Sequence, residues 1–194
     1  MLMKSPLFRR TRQPTIIAAL YGMIVAQARS PAFYRTYGVP DTVNGRLEML
    51  LLHTFLFVRR LRSEPAAIRA LGQEVFDLFC QDIDGNLREM RVGDLAVPGQ
   101  MRQIGEAFYG RAAVYDAALT AGDAAGLEDA LMRNVFSGPS DSAGARRLAA
   151  YMSEAERCLT AQGAADFSQG RIVFPDPGLL TDGADHARDL VVSR

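Results

Sequence analysis

Gly38-Val39-Pro40-Asp41-Thr42-Val43-Asn44-Gly45-Arg46-Leu47-Glu48-Met49-Leu50, continued by Leu51-Leu52-His53-Thr54-Phe55-Leu56-Phe57, decides the fold class of this chain. A Pro-Asp-Thr turn closes one segment and opens the next. Asp41 or Thr42 carries the short oxygen-bearing side chain that caps a helix N-terminus. The helix it opens is strongly apolar and is predicted to run to about Arg62. Its lone histidine, His53, has Met49, Leu50, Leu56 and Phe57 one turn away. A histidine in that setting is expected to be buried and hydrogen-bonded in the core, without a metal.

Helical periodicity continues on both sides. Ile16 to Arg29 reads as a helix, stopped by Ser30-Pro31 because proline disfavours the α conformation at the residue before it. Residues 31–40, with Phe33, Tyr34 and Tyr37, form a connector expected to fold onto the core. Glu64-Pro65 starts a helix whose amphipathic stripe is Ile68, Leu71, Val75, Phe76, Phe79 and Cys80. Asp82-Ile83-Asp84-Gly85-Asn86 is predicted to break it as a turn, with a short helix over Leu87 to Met90. Pro98 opens a long helix to about Thr120, Asp123 caps another to Val135, and Ser140 or Asp141 caps the last, to about Gln162. Ile172-Val173-Phe174 is either one short strand or an extended tether docked by Phe174. The expectation is an all-α fold, a single irregular bundle of about six or seven helices with an extended C-terminal tail. A basic leader occupies 1–14, the helical domain 15–163 and a flexible tail 164–194.

Composition bounds the function. The 194 residues suit one domain with a real core. Lys+Arg and Asp+Glu are both 22, so there is no basic surplus of the kind that bulk nucleic-acid binding needs. Lys4 is the only lysine; arginine dominance reflects either base composition or guanidinium–carboxylate pairing. Cys80 and Cys158 stand in no CxxC or metal-ligand spacing, which fits a reducing cytoplasm and a buried free thiol at Cys80. Lys4, Arg9, Arg10 and Arg12 before the apolar run Ile16 to Ala26 have the outline of a secretory signal. Tyr21 and Gly22 interrupt that run, and it falls short of the ~20 apolar residues a spanning helix needs. It is read as the first core helix behind a basic leader, which is either solvated or in contact with anionic lipid.

No catalytic constellation emerges. Asp82, Asp84 and Asn86 match the opening of a calcium loop, but Leu87 stands where the loop needs glycine and Gly93 where it needs glutamate. His186 lies in the tail, away from His53. No Gly-x-Ser-x-Gly elbow is present, and no glycine-rich phosphate loop follows a strand. Arg111 and Tyr115 form an i, i+4 pair after Gly110, a glycine expected to admit a neighbouring helix. Arg111 is then expected to reach Asp82, Asp84 or Asp94, either as a structural ion pair or as part of a partner-binding surface.

Four blocks together resemble the ubiquinol–cytochrome c chaperone family over roughly residues 20 to 160. They are Tyr21 with Gln27-Ala28-Arg29 and Phe33-Tyr34; Gly38 to Thr42 with Gly45-Arg46 and Leu52-His53; Asp82-Ile83-Asp84 with Leu87-Arg88-Glu89-Met90 and Val92-Gly93-Asp94-Leu95; and Phe108-Tyr109-Gly110-Arg111 with Tyr115. The resemblance implies a non-enzymatic assembly chaperone for the cytochrome bc complex, with newly made cytochrome b as its partner and no cofactor. It places such proteins near the ribosome exit. The short basic leader points to a bacterial member, either cytoplasmic or peripheral on the inner face of the cytoplasmic membrane. An apolar groove with adaptable Met49, Met90 and Met101 beside it would shield a membrane-helix client.

The expected client-binding or structural polar cluster is Tyr34, Asp41, Arg46, His53, Asp82, Asp84, Arg88, Glu89, Asp94, Arg111 and Tyr115, with the charged members from Arg46 to Arg111 converging. Burying so many charges costs several kcal/mol per ion before pairing compensates. Two other classes remain open on sequence. In a ligand-sensing transcription regulator, Arg29 to Asp41 would hold a helix-turn-helix, against which stand Pro31, Pro40 and the neutral charge. In a small helical enzyme with a buried apolar pocket, His53 would act as acid or base, and a closed polar cavity around it would mark that class.

Overall fold

The computed structural model describes residues 6–89, 96–136 and 142–180, the first eight by backbone alone. Among them the helices are α1 (Pro6–Ala28), α2 (Pro31–Arg35), α3 (Val43–Leu61), α4 (Ala66–Glu89), α5 (Val97–Ala121), α6 (Ala124–Asn134), α7 (Ser142–Thr160) and α8 (Ala164–Ser168), with one helical turn at 177–180 and no strand. The fold is an all-α irregular bundle.

The opening stretch builds its centre. Thr42 caps α3, its Oγ1 accepting from Gly45 N at 3.1 Å. The chain crosses itself tightly there. A Cβ on Gly45 would lie 2.0 Å from the Pro40 carbonyl oxygen, so only glycine fits. Ten consecutive residues of α3, Glu48 to Phe57, are buried. A helix buried all round belongs in the middle of a core, and α3 packs against α1, α4, α5 and α7. The aromatic connector docks as expected: Phe33 and Tyr37 are fully buried around α2.

α1 starts at Pro6, so the helix extends back into the basic leader. By length and composition Pro14–Arg35 is long and apolar enough to cross a membrane, longer than the Ile16 to Ala26 run. Leu20 and Ile24 are nevertheless completely buried against the bundle, as in a core helix.

Residues 82–86 are helix, not turn. Gly85 costs about 1 kcal/mol in a helix interior. The helix continues because Leu87 is buried and Ile83 half-buried, a gain of about 1.5–3 kcal/mol for a fully buried leucine. Side chains reinforce it: Asn86 Nδ2 donates back to the Asp82 carbonyl at 2.7 Å, Arg88 pairs with Asp84 at 2.7 Å, and Tyr21 Oη donates to Asp82 at 2.7 Å.

The segment after Gly163 is a strap on the core rather than a free tail as far as residue 180. Phe167 is fully buried, edge-on to Phe57 at 5.9 Å, with the Arg60 guanidinium over its ring. Gln162 clamps Val173 through both backbone groups, at 2.7 and 2.8 Å. Tyr37 Oη donates to the Pro177 carbonyl at 3.0 Å. Residues 172–174 form the extended tether of the two alternatives, with Phe174 packed on the core. The expected cap at Ser140 or Asp141, together with Met90 and Asp94, lies outside the described residues.

Candidate functional site

His53 sits where α3, α7 and the strap meet, with no exposed surface. Its two ring nitrogens are satisfied by one consistent proton order. Nδ1–H donates to the Met49 carbonyl at 2.7 Å, and Nε2 accepts from Tyr151 Oη at 2.8 Å. Tyr151 Oη in turn accepts from Gln27 Nε2 at 3.0 Å, and Gln27 also donates to the Pro175 carbonyl at 2.9 Å. Phe33 and Phe174 enclose the ring at 5.4 and 5.3 Å. Burial drives the imidazole pKa down to about 4, opposed by the Met49 hydrogen bond, so the ring is neutral at pH 7. No substrate reaches a side chain so enclosed, which removes the acid–base reading. Among the described residues no cluster of three or more His, Cys, Asp or Glu is placed to hold a metal.

Arg111 reaches neither Asp82 nor Asp84. It pairs with Glu48 of α3 at 2.5 Å, with the glutamate side chain 2% exposed. Burial raises the Glu48 pKa, and the Arg111 charge and hydrogen bond oppose that rise. Tyr115, buried nearby, is raised by burial first and then by the Glu48 charge. Gly110 admits no helix: a Cβ there meets nothing within 4 Å. The pair fastens α5 to α3, and Arg111 works inside the fold.

The expected convergence of charges therefore splits. Asp41 and Arg46 pair at 2.6 Å, more than half exposed, and the Arg46 hydrogen bond lowers the Asp41 pKa. Tyr34 donates to the Ala28 carbonyl at 2.8 Å and lies under the Arg46 guanidinium at 5.9 Å. Asp84 and Arg88 pair along α4, and Glu89 is exposed at its end. Asp82 is held by Tyr21 from α1, whose own pKa is raised by burial first and then by Asp82.

Arg46 and Asp82 do come together, across an apolar groove. The C-terminal end of α1, the start of α3, the end of α4 and Ile104 of α5 enclose an open cavity of about 260 Å³. Its walls are apolar, with Leu47 and Leu50 from α3, Ile83 and Leu87 from α4, and Val25 from α1. Arg29, Arg46, Asp82 and Asn86 stand among its polar lining. No methionine lines it among the described residues; Met49 is fully buried core and Met101 is half-buried elsewhere on α5. The aliphatic walls follow from helix geometry, since Leu47 and Leu50 present one face of α3 while Met49 faces inward. The supposed helix-turn-helix fails on the same ground. Phe33 and Tyr37 are core residues, and α3 is too buried to enter a DNA groove.

Sequence reasoning missed three groups. Arg59 ties α3 to Asp116 at 2.7 Å and to Glu156, and Arg62 reaches the same Asp116 at 2.6 Å. Glu48 carried a signal, a lone carboxylate inside an apolar run. Arg29, at the groove, stands in a matched block with no role of its own assigned to it, and Arg35, in an adjoining recess, carried no signal, since an exposed arginine looks the same in sequence whatever lies beside it.

Comparison with known proteins follows the same outline. The family model described as "Ubiquinol-cytochrome C chaperone" matches residues 35–174. A curated relative from Xenopus laevis, "Ubiquinol-cytochrome-c reductase complex assembly factor 1", is 25% identical over 127 residues, 64% of this chain and 63% of that protein. The crystal structure of the Cbp3 homolog from Brucella abortus superposes with a TM-score of 0.80 at 40% identity, covering 89% of this chain and 96% of that one.

Proposed function

Because the chain belongs to the ubiquinol–cytochrome c chaperone family, we propose that it is a non-enzymatic assembly chaperone that holds newly made cytochrome b while ubiquinol–cytochrome c reductase is built. The groove between α1, α3, α4 and α5 is its client site. One observation carries this reading: an open apolar cavity with Arg29, Arg46, Asp82 and Asn86 at its edges, three of them, Arg29, Arg46 and Asp82, residues that stand in the blocks of the family resemblance. Apolar walls take side chains of a membrane segment that has not yet reached lipid, and the polar edge keeps the empty groove hydrated. His53, Arg111 and Tyr115 act behind it by fixing α3 against α5, α7 and the strap. Cytochrome b is a membrane protein, so the chaperone works in the cytoplasm or peripherally on the inner face of the membrane, within reach of the ribosome exit.

The test is capture of newly synthesised cytochrome b by a Leu47→Gln/Ile83→Gln variant. Both side chains are half-buried and face the groove. Losing two apolar contacts of about 0.8–1.5 kcal/mol each lowers affinity ~10-fold or more. Unchanged capture by a folded variant contradicts the assignment.

A further inference from the structure

At the C-terminal end of α1 the apolar groove opens into a second recess of about 230 Å³, lined by Arg29, Pro31, Tyr34, Arg35, Asp41 and Arg46. The two cavities share Arg29 and Arg46, so they form one continuous surface, apolar at one end and polar at the other. The recess is unbalanced in charge. Among the described residues it holds three guanidiniums and one carboxylate, and that carboxylate, Asp41, is taken by Arg46 at 2.6 Å. Neither Arg29 nor Arg35 pairs with a carboxylate among the described residues; both are exposed. Arginine stays protonated at every physiological pH, so the excess positive charge is permanent. The chain as a whole is neutral, which makes this local excess a feature of the recess rather than of the composition.

The approach to the groove has its own character. Ala18, Gly22 and Ala26 are exposed on α1, one turn apart, and a Cβ on Gly22 would meet nothing within 4 Å. Continuing along that face by helical steps, Val25 and Arg29 enter the groove wall. Small side chains let a second helix come close to the backbone. A lipid tail gains nothing from such a strip, whereas a helix lying along α1 does.

We infer that the groove selects an apolar helix that ends in acidic residues, with the apolar part against Leu47 and Ile83 and the carboxylate clamped by Arg29 and Arg35. This rests on the groove being the client site and adds the chemistry by which it chooses. Carboxylate–guanidinium pairing supplies register: an apolar helix alone slides in an apolar groove, while a charge at one end fixes which end enters the recess. It also supplies discrimination, because many nascent membrane helices are apolar and fewer carry an acid directly after the apolar run.

The experiment uses the full chain and two labelled peptides, each an apolar helical run of about 15 residues behind a solubilising tag, one ending in Glu-Glu and the other in Gln-Gln. Binding is followed by fluorescence anisotropy at low and high ionic strength, for wild type and for Arg29→Gln/Arg35→Gln. Wild type is expected to prefer the Glu-Glu peptide about tenfold, with the preference shrinking in salt. In the double variant the preference falls to about unity, Glu-Glu binding dropping more than Gln-Gln binding; a tenfold preference retained there overturns the assignment to Arg29 and Arg35. Both arginines are exposed and have no carboxylate partner among the described residues, so the variant's melting temperature should match wild type. Equal binding of both peptides by wild type overturns the selectivity and leaves the groove assignment standing. Failure of both peptides to bind overturns the groove assignment and the selectivity with it. Vesicles of phosphatidylcholine with and without phosphatidylglycerol form the third arm. If anionic vesicles bind through Arg29 and Arg35 while the two peptides bind alike, the recess takes a lipid headgroup and the inference is wrong.

Discussion

Tyr151→Phe removes one oxygen from the most enclosed polar chain in the molecule. The ring stays, and with it the edge contacts to Phe33 at 4.8 Å and Tyr37 at 6.2 Å. What is lost is the O–H that satisfies His53 Nε2 at 2.8 Å. His53 has no exposed surface, so water cannot replace the donor. A buried acceptor left unsatisfied costs about 1–3 kcal/mol. Gln27 loses less, because its amide keeps the Pro175 carbonyl at 2.9 Å. The expected loss is therefore about 2 kcal/mol, a fall of roughly 4–8 °C in melting temperature for a chain of this size. Equilibrium unfolding in urea with unchanged slope measures it. The same substitution in a His53→Leu background should cost little, because the acceptor it orphans is gone. A wild-type-like melt for Tyr151→Phe, or an equal cost in both backgrounds, would refute the proton order assigned to the chain.

Four further outcomes follow from the same packing. Acidification should weaken the fold through His53: its folded pKa of about 4 lies below the unfolded value of about 6.5, so the unfolded state binds the proton first. Stability from this group is complete above pH 6.5 and falls by about 3 kcal/mol between pH 6.5 and 4; His53→Leu should remove that part of the pH profile of urea unfolding. Arg111→Met should cost about 3 kcal/mol by leaving Glu48 buried and unpaired, and Glu48→Leu in the same chain should recover most of it, as read by thermal melting. Gly45→Ala should cost about 2 kcal/mol or more because its Cβ meets the Pro40 carbonyl oxygen and pushes Thr42 off its cap. Phe174→Ala should raise proteolysis of the strap after Gln162 and lower melting by removing a ring packed on His53.

Where the sequence was legible, the signal was local. Thr42 and Asp123 cap α3 and α6 with side-chain bonds to Gly45 N and Gly126 N, and Pro65 and Pro98 stand at the starts of α4 and α5. Where reading failed, distant residues outweighed local preference. Asp82 to Asn86 has the composition of a turn, yet Tyr21 from 61 residues away and burial of Leu87 hold it as helix. The strap has little helical pattern, and its hold comes from single anchors, Phe167, Gln162 and Tyr37, that no periodicity marks. The groove was half legible. Arg46 and Asp82 stood out as charges in apolar surroundings, whereas Leu47 and Ile83 look like any core residue until the helices leave them half-covered. The partner of Arg111 was hidden because a charge pair 63 residues apart leaves no spacing to read.

The most direct measurement places a photoreactive amino acid at Leu47 in the groove and, separately, at Tyr109 and Leu179, which are exposed apolar positions outside it. Each chain is expressed with cytochrome b synthesis pulse-labelled and is irradiated before the reductase assembles. Occupation of the groove by its client gives a cytochrome b adduct from position 47 and none above background from 109 or 179. Adducts from Tyr109 or Leu179 with none from the groove would contradict it.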